Sequence, residues 1–279
     1  MNYTPLFEAQ NAPRYKRQAM IRDYEETYNC NLVVMVDHVT ASSVTMLSEC
    51  LHDVDADKDL HLLLRSLGGD PEAAIRLIRM CQDATDKKFV VVVPEMAKSA
   101  ATIMSLGAHQ IIMGPTSDLG PIDPQVLAGD RGYVSAKDLI AAVESVLNDI
   151  QMNPNTMQVH AAMLGGIDAT MVQFARSALD RTGDIALQAV QSNPDLTEEE
   201  VTERCDKIKG PLIDSPKMHA AVIGAREAEA AGLPVKRLTG SDAQWKAIQG
   251  LWARYFVLGN SDKMFAYEGR KASQVFVLQ

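Results

Sequence analysis

Apolar residues in this chain come in two patterns, and they alternate. Short, mostly apolar runs appear at residues 31–36 (NLVVMV), 60–65 (LHLLLR), 89–93 (FVVVV) and 110–113 (QIIM). Each is strand length and rich in β-branched or large aliphatic side chains, as expected for strands buried on both faces. Between them lie stretches of helical period. The pattern predicts helices over 13–28, over 42–51 (opened by Ser42 or Ser43) and over 72–81. Another begins near Ile103, Met104 and Leu106. Strands that alternate with helices predict an α/β chain with a mainly parallel sheet and right-handed crossovers.

Residues 135–209 read as helical. One helix is expected over 135–150, a longer one over 155–181 with Gly165-Gly166 as its possible break, and a short one over 184–192. Leu196-Thr197-Glu198-Glu199-Glu200 is a capped start with acids in the first turn, and Gly210-Pro211 is the expected end. A last helix is expected over 241–258, with Trp245 and Trp252 on one face. That pair suits either core packing or a contact between subunits. Residues 259–279 read as polar until the apolar Val275-Phe276-Val277-Leu278, which suits an added strand in this sheet or in a neighbour's. The organisation expected is an N-terminal helical arm (1–30), a main domain (31–240) with a helical insertion at about 135–210, and a C-terminal helix and tail (241–279).

Two turns carry the chemistry. In Val91-Val92-Val93-Pro94-Glu95-Met96-Ala97-Lys98-Ser99-Ala100-Ala101-Thr102 a strand stops at Pro94, and Ser99 stands among small residues before a helix. A serine on such a turn has its hydroxyl beside free backbone N–H groups, and small neighbours let a substrate backbone approach, as a nucleophile requires. It also suits an ordinary N-cap. The second turn is Ser66-Leu67-Gly68-Gly69-Asp70-Pro71. Asp70 is a fitting N-cap and Pro71 a fitting first helical residue. Paired glycines can turn N–H groups outward, toward an acyl oxyanion, or simply close a β–α turn. Both turns fall at the C-terminal ends of strands, where open α/β sheets place their sites.

These segments, SLGGDPEAA and PEMAKSAATIMSLGAHQIIMGPTSDLGPIDPQ, resemble the serine dehydrogenase proteinase family of the Clp-protease/crotonase fold, related to signal peptide peptidase A. The resemblance covers roughly residues 12–240, with its specific part at 59–125 and further likeness at 13–28 and in HAAVIGAREAEAAGLPV from His219. It implies a Clp/crotonase-like fold. It implies that Ser99 is the nucleophile and that the N–H groups of Gly69 and Ala100 form an oxyanion hole, with Gly68 allowing the turn. The chain departs from the family where Ala100-Ala101 replace glycines and where Lys98 precedes the serine. The spacing at which the Clp subunit has its histidine lands on Asp123. Signal peptide peptidases use a lysine on a later helix, which points to Lys137. Matching to the Clp C-terminal helix brings His219 near that enzyme's aspartate position, which suggests a triad of Ser99, His219 and Asp123. Lys137 and His219 stay open as the base, and Lys98 should point away from the serine. The resemblance further implies a peptide or unfolded-protein substrate and homo-oligomers, with an ATPase partner by analogy only. No cofactor or metal is implied.

The chain has 279 residues, 47% of them apolar, enough for a sizeable core. Its net charge of −9, its 5% aromatic content and the lack of a basic stripe argue against nucleic acid. No apolar run approaches the ~20 residues of a membrane span, and the N-terminus has no signal pattern, so a cytoplasmic location is expected. Four well-separated cysteines (Cys30, Cys50, Cys81, Cys205) read as reduced thiols. The alternating Asp53, Asp55, Asp57 and Asp59 suit a solvated turn better than a cation loop. Two other function classes fit the same residues: a crotonase-like acyl-thioester enzyme, and an oligomeric scaffold on this fold without activity.

Overall fold

The structure, a computed structural model, describes residues 3–127, 132–214, 221–259 and 264–277. Its elements in chain order begin with α1 (Pro5–Tyr28), β1 (Cys30–Val36), α2 (Ala41–Leu51), β2 (Asp59–Arg65), α3 (Pro71–Asp83), β3 (Phe89–Val93), β4 (Met96–Ala97), α4 (Ala100–Leu106) and β5 (Gln110–Met113). Next come β6 (Asp118–Leu119), β7 (Gln125–Leu127), β8 (Tyr133–Ser135), α5 (Ala136–Met152), α6 (Met157–Met163), α7 (Ala169–Gln191) and α8 (Glu198–Ile208). The chain closes with β9 (Ile223–Gly224), α9 (Ala225–Ala230), β10 (Val235–Arg237), α10 (Ala243–Phe256), β11 (Met264–Glu268) and β12 (Ser273–Val277).

The central sheet runs β10-β5-β3-β2-β1-β11-β12. The first five strands are parallel, and β11 and β12 close one edge antiparallel. This is the α/β class expected from the alternation of runs. Helices cover both faces, which is why the strands read as continuous apolar runs. Val33 and Met35 of β1, with Leu60, Leu62 and Leu64 of β2, pack toward α2, α3, α4, α7 and α8. Leu32, Val34 and Val36, with Leu63, pack toward α1 and α10. Trp245 and Trp252 are buried in that second cluster, which settles the tryptophan stripe as core packing. The ring of Trp245 lies so close to Gly114 that a Cβ there would stand 2.4 Å from it.

Several elements differ from expectation for local reasons. Helix α1 starts eight residues earlier than the apolar pattern suggests. Thr4 caps it and Pro5, with φ already set, opens it. Thr40, not Ser42 or Ser43, caps α2, in a box in which the Ser43 hydroxyl accepts from Thr40 N–H at 3.0 Å. The 155–181 segment does break near Gly165-Gly166, leaving α6. The expected 184–192 helix is instead the end of α7. Gly183 costs such a helix about 1 kcal/mol relative to Ala, and the buried Thr182, Ile185, Ala186, Ala189 and Val190 on either side of it outweigh that. Beyond α8, Gly210-Pro211 does not stop the chain from coiling. A wider π-type turn runs over Lys209–Asp214, accommodating a proline that cannot donate its N–H.

The apolar terminus joins its own sheet as β12, paired with β11, a strand hidden in a segment that read as polar. A buried cluster fixes this edge. Arg17 Nε donates to Glu268 at 2.6 Å, as do Tyr255 OH at 2.6 Å and Ser273 Oγ at 2.7 Å. It ties α1, α10, β11 and β12 together. No helix among the described residues is long and apolar enough to cross a membrane.

Candidate functional site

Ser99 stands where the sheet hands over to α4. Strand β4 is stitched to the end of β2 by Ser66, whose N–H donates to Met96 O (3.1 Å) and whose carbonyl accepts from Lys98 N–H (3.0 Å). The next residue, Ser99, has φ 49° and ψ −115°. Few non-glycine residues adopt that conformation, and it marks a backbone held under strain. The Thr102 hydroxyl holds the turn, bonding Ala97 O at 2.8 Å and Gly120 O at 2.9 Å. Every residue of α4 is buried, so Ala100 and Ala101 are small because the core leaves no room. Ser99 occupies the N-cap position, but its hydroxyl makes no cap hydrogen bond. Lys98 points away, its amine 2.7 Å from Asp118 and bonded to the carbonyls of Leu119 and Ala221.

The Gly-Gly turn lies directly against it. Gly68 has φ +104° and Gly69 φ +144°. A Cβ at Gly68 would sit 2.7 Å from Ser99 Cβ, and one at Gly69 would sit 2.1 Å from Val39 O. Only glycine can bring these backbones so close. Val39 locks the turn from its other side: its N–H donates to Gly68 O (2.8 Å) and its carbonyl accepts from Asp70 N–H (2.7 Å).

Buried N–H groups normally have partners. Gly68 N–H donates to Ser66 Oγ (3.1 Å) and Ala101 N–H to Lys98 O (2.9 Å). Among the described residues, neither Gly69 N–H nor Ala100 N–H has an acceptor. The two turns that meet at Ser99 thus carry two free donors, the kind of group that can hold a developing oxyanion.

Ser99, Gly68 and Gly69 open into a cavity of about 710 Å³. Leu67, Ile103, Ile122, Phe174 and Ile185 give it apolar walls, and His38, Asp123 and Tyr133 bring titratable groups. Asp123 is buried and accepts a hydrogen bond from Ser135 Oγ at 2.9 Å. Of the residues singled out in the sequence, Ser99, Gly68, Gly69 and Asp123 therefore share one cavity. Lys137 does not line it. Its amine donates to Asp214 O at 3.0 Å and borders a neighbouring depression with Asp180 and Asp206. His219 lies outside the described residues. The Ser99 hydroxyl hydrogen-bonds no described side chain.

His38 also lines this cavity, and the sequence reading did not single it out. It follows β1, whose C-terminal end neighbours that of β2, and the Asp37-His38 pair at a strand end was its only local signal. The cysteines lie elsewhere: burial pushes Cys30 and Cys50 up to about 12, which suppresses their thiolates. The alternating acids are spread by their partners. Asn31 pins the loop through its bonds to Asp55, Asp59 Oδ1 accepts from Lys88 N–H, and Asp53 pairs with Lys271.

No family model matches the chain. The uncharacterized protein MJ0137 of Methanocaldococcus jannaschii is 34% identical over 88 residues, a stretch covering 32% of this chain and 29% of that protein. The match thus spans less than a third of that relative's length. Among solved structures, ClpP1 from Listeria monocytogenes is 14% identical with a TM-score of 0.40, over 74% of this chain and 91% of its own. A point mutant of the same ClpP1 is 12% identical with a TM-score of 0.41, over 79% and 98%. Likenesses of this size say nothing about the site.

Proposed function

We propose that this chain is a serine hydrolase of peptidase type that forms an acyl-enzyme on Ser99. One observation carries the reading. A serine held at positive φ packs against the Gly68-Gly69 turn beside a largely apolar cavity, and the amides of Gly69 and Ala100 have no acceptor among the described residues. Strain of this kind persists where a site over-determines it. In the proposed reaction Ser99 Oγ bonds to a substrate carbonyl carbon, the carbonyl oxygen takes the negative charge between the two N–H groups, and the amine leaves. Water then releases the acid. Lys137, or His219 with Asp123 as its acid partner, is the proton acceptor that the sequence suggests. The setting that goes with this reading is a cytoplasmic homo-oligomer of the serine dehydrogenase proteinase family acting on peptides or unfolded chains. An ATPase partner is an analogy only.

The hydroxyl without a hydrogen-bond partner favours a second reading, a scaffold that kept the fold without the chemistry. A fluorophosphonate probe separates the two. Labelling of the native protein on Ser99, abolished in Ser99→Ala, is the expected result. A folded protein that stays unlabelled refutes the hydrolase; if it also binds acyl-CoA, the crotonase-like reading takes over, and if it does not, the scaffold remains.

A further inference from the structure

Building on the Ser99 reading, we infer that His38 is a further catalytic residue of this site, the group that takes the serine proton and returns it to the leaving amine. Two short steps connect the residues. The Val39 N–H, directly after His38, donates to Gly68 O at 2.8 Å. Gly68 in turn lies so close to Ser99 that a Cβ on it would stand 2.7 Å from the serine's own. His38 and Ser99 thus flank the glycine turn from opposite sides, their backbones about two strand spacings (~10 Å) apart, a span that an imidazole and a serine hydroxyl extended toward each other can bridge. Both residues line the same cavity.

The backbone that carries His38 is rigid while its ring is not tied down. Its carbonyl accepts from Ser43 Oγ at 3.0 Å and its N–H donates to Asp37 Oδ1 at 2.6 Å. The ring itself is exposed and hydrogen-bonds no described residue. A ring free to rotate can tighten onto the serine when substrate fills the cavity, as catalytic hydrogen bonds often do.

The charged and titratable groups around it are few. Asp37 stands on its own strand end, with Tyr267 OH of β11 donating to it at 2.6 Å. Asp70 caps α3 beyond the glycine turn, and Asp123 and Tyr133 face it across the cavity. α2, which follows His38, opens with uncharged Ala41, Ser42 and Ser43.

The step balances without a co-reactant. As Ser99 Oγ bonds to the acyl carbon, its proton passes to an imidazole nitrogen and the carbonyl π pair moves to oxygen. As the intermediate collapses, the C–N bond breaks and the imidazolium gives that proton to the amine. A water molecule repeats the sequence on the acyl-enzyme, its proton going to His38 and then to Ser99.

The test is the rate of fluorophosphonate labelling of the full chain between pH 5 and 9. Native protein should show an acid limb, the rate falling where the base becomes protonated. His38→Gln should lower the rate at least ~100-fold, the size of a lost general base, and abolish that limb, with circular dichroism unchanged. His38→Gly should be rescued by millimolar imidazole, which a structural role would not allow. Ser99 labelled in His38→Gln at the native rate, with the same acid limb, overturns the role of His38 and leaves the Ser99 reading standing. Folded native protein that takes no label refutes both.

Discussion

Replacing Ser99 with glycine should make this protein more stable while removing the proposed nucleophile. The serine sits at φ 49°, ψ −115°, a conformation that disfavours any residue with a Cβ. Strain of that kind costs on the order of 1–3 kcal/mol. Glycine relieves it but loses about 0.5–1 kcal/mol more backbone entropy on folding. The net expectation is a gain of about 1 kcal/mol. Ser99→Ala is the internal control, because it keeps the Cβ and hence the strain. It also deletes a hydroxyl that makes no cap hydrogen bond, so it should stay within about 0.5 kcal/mol of native. In a thermal melt, Ser99→Gly should exceed Ser99→Ala by roughly 2–4 °C, the shift per kcal/mol for domains a little smaller than this chain. If the glycine variant melts at or below the alanine variant, no strain is stored at Ser99, and the reading of a forced, functional turn loses its support.

Gly69→Ala would drive a methyl group to 2.1 Å from Val39 O and break the pair of backbone bonds around Val39, so a loss of about 3 kcal/mol or more in urea unfolding is expected, with loss of probe labelling; near-native stability would mean the turn is not locked by Val39. His61 of β2 is buried against Tyr24 OH (3.0 Å), and burial lowers its pKa to about 4, below its unfolded value of about 6.5. The folded state therefore holds the neutral ring, so its contribution to stability is complete above pH 6.5 and is lost as pH falls toward 4. About 3 kcal/mol of stability should disappear across that window, and His61→Leu should flatten that part of the urea-midpoint profile; an unchanged slope would rule out His61 as its source.

What could be read from the sequence was what neighbouring residues decide among themselves. Val-rich runs announced β1 and β3, and a Leu-rich run β2, because strands buried on both faces need no polar alternation. Asp70-Pro71 announced the start of α3, and Thr197 with Glu200 that of α8, because capping is settled within one turn. β11 escaped notice. Its Met264, Ala266 and Tyr267 are buried because β1 lies on one side and β12 on the other, and Glu268 is tolerated inside because Arg17, from the far end of the chain, meets it together with Tyr255 and Ser273.

The candidate site divides in the same way. Ser99 and the Gly68-Gly69 pair stand out in sequence as turn chemistry, since residue type alone restricts which backbone conformations are cheap. That the two turns touch, that Gly69 and Ala100 keep their amides unpaired, that His38 joins the cavity and that Lys137 borders another depression were decided by strand order. Which strand ends lie side by side depends on β1, β2 and β3 packing in one parallel sheet under a shared core. That packing energy is spread over the whole chain, so no local pattern encodes it.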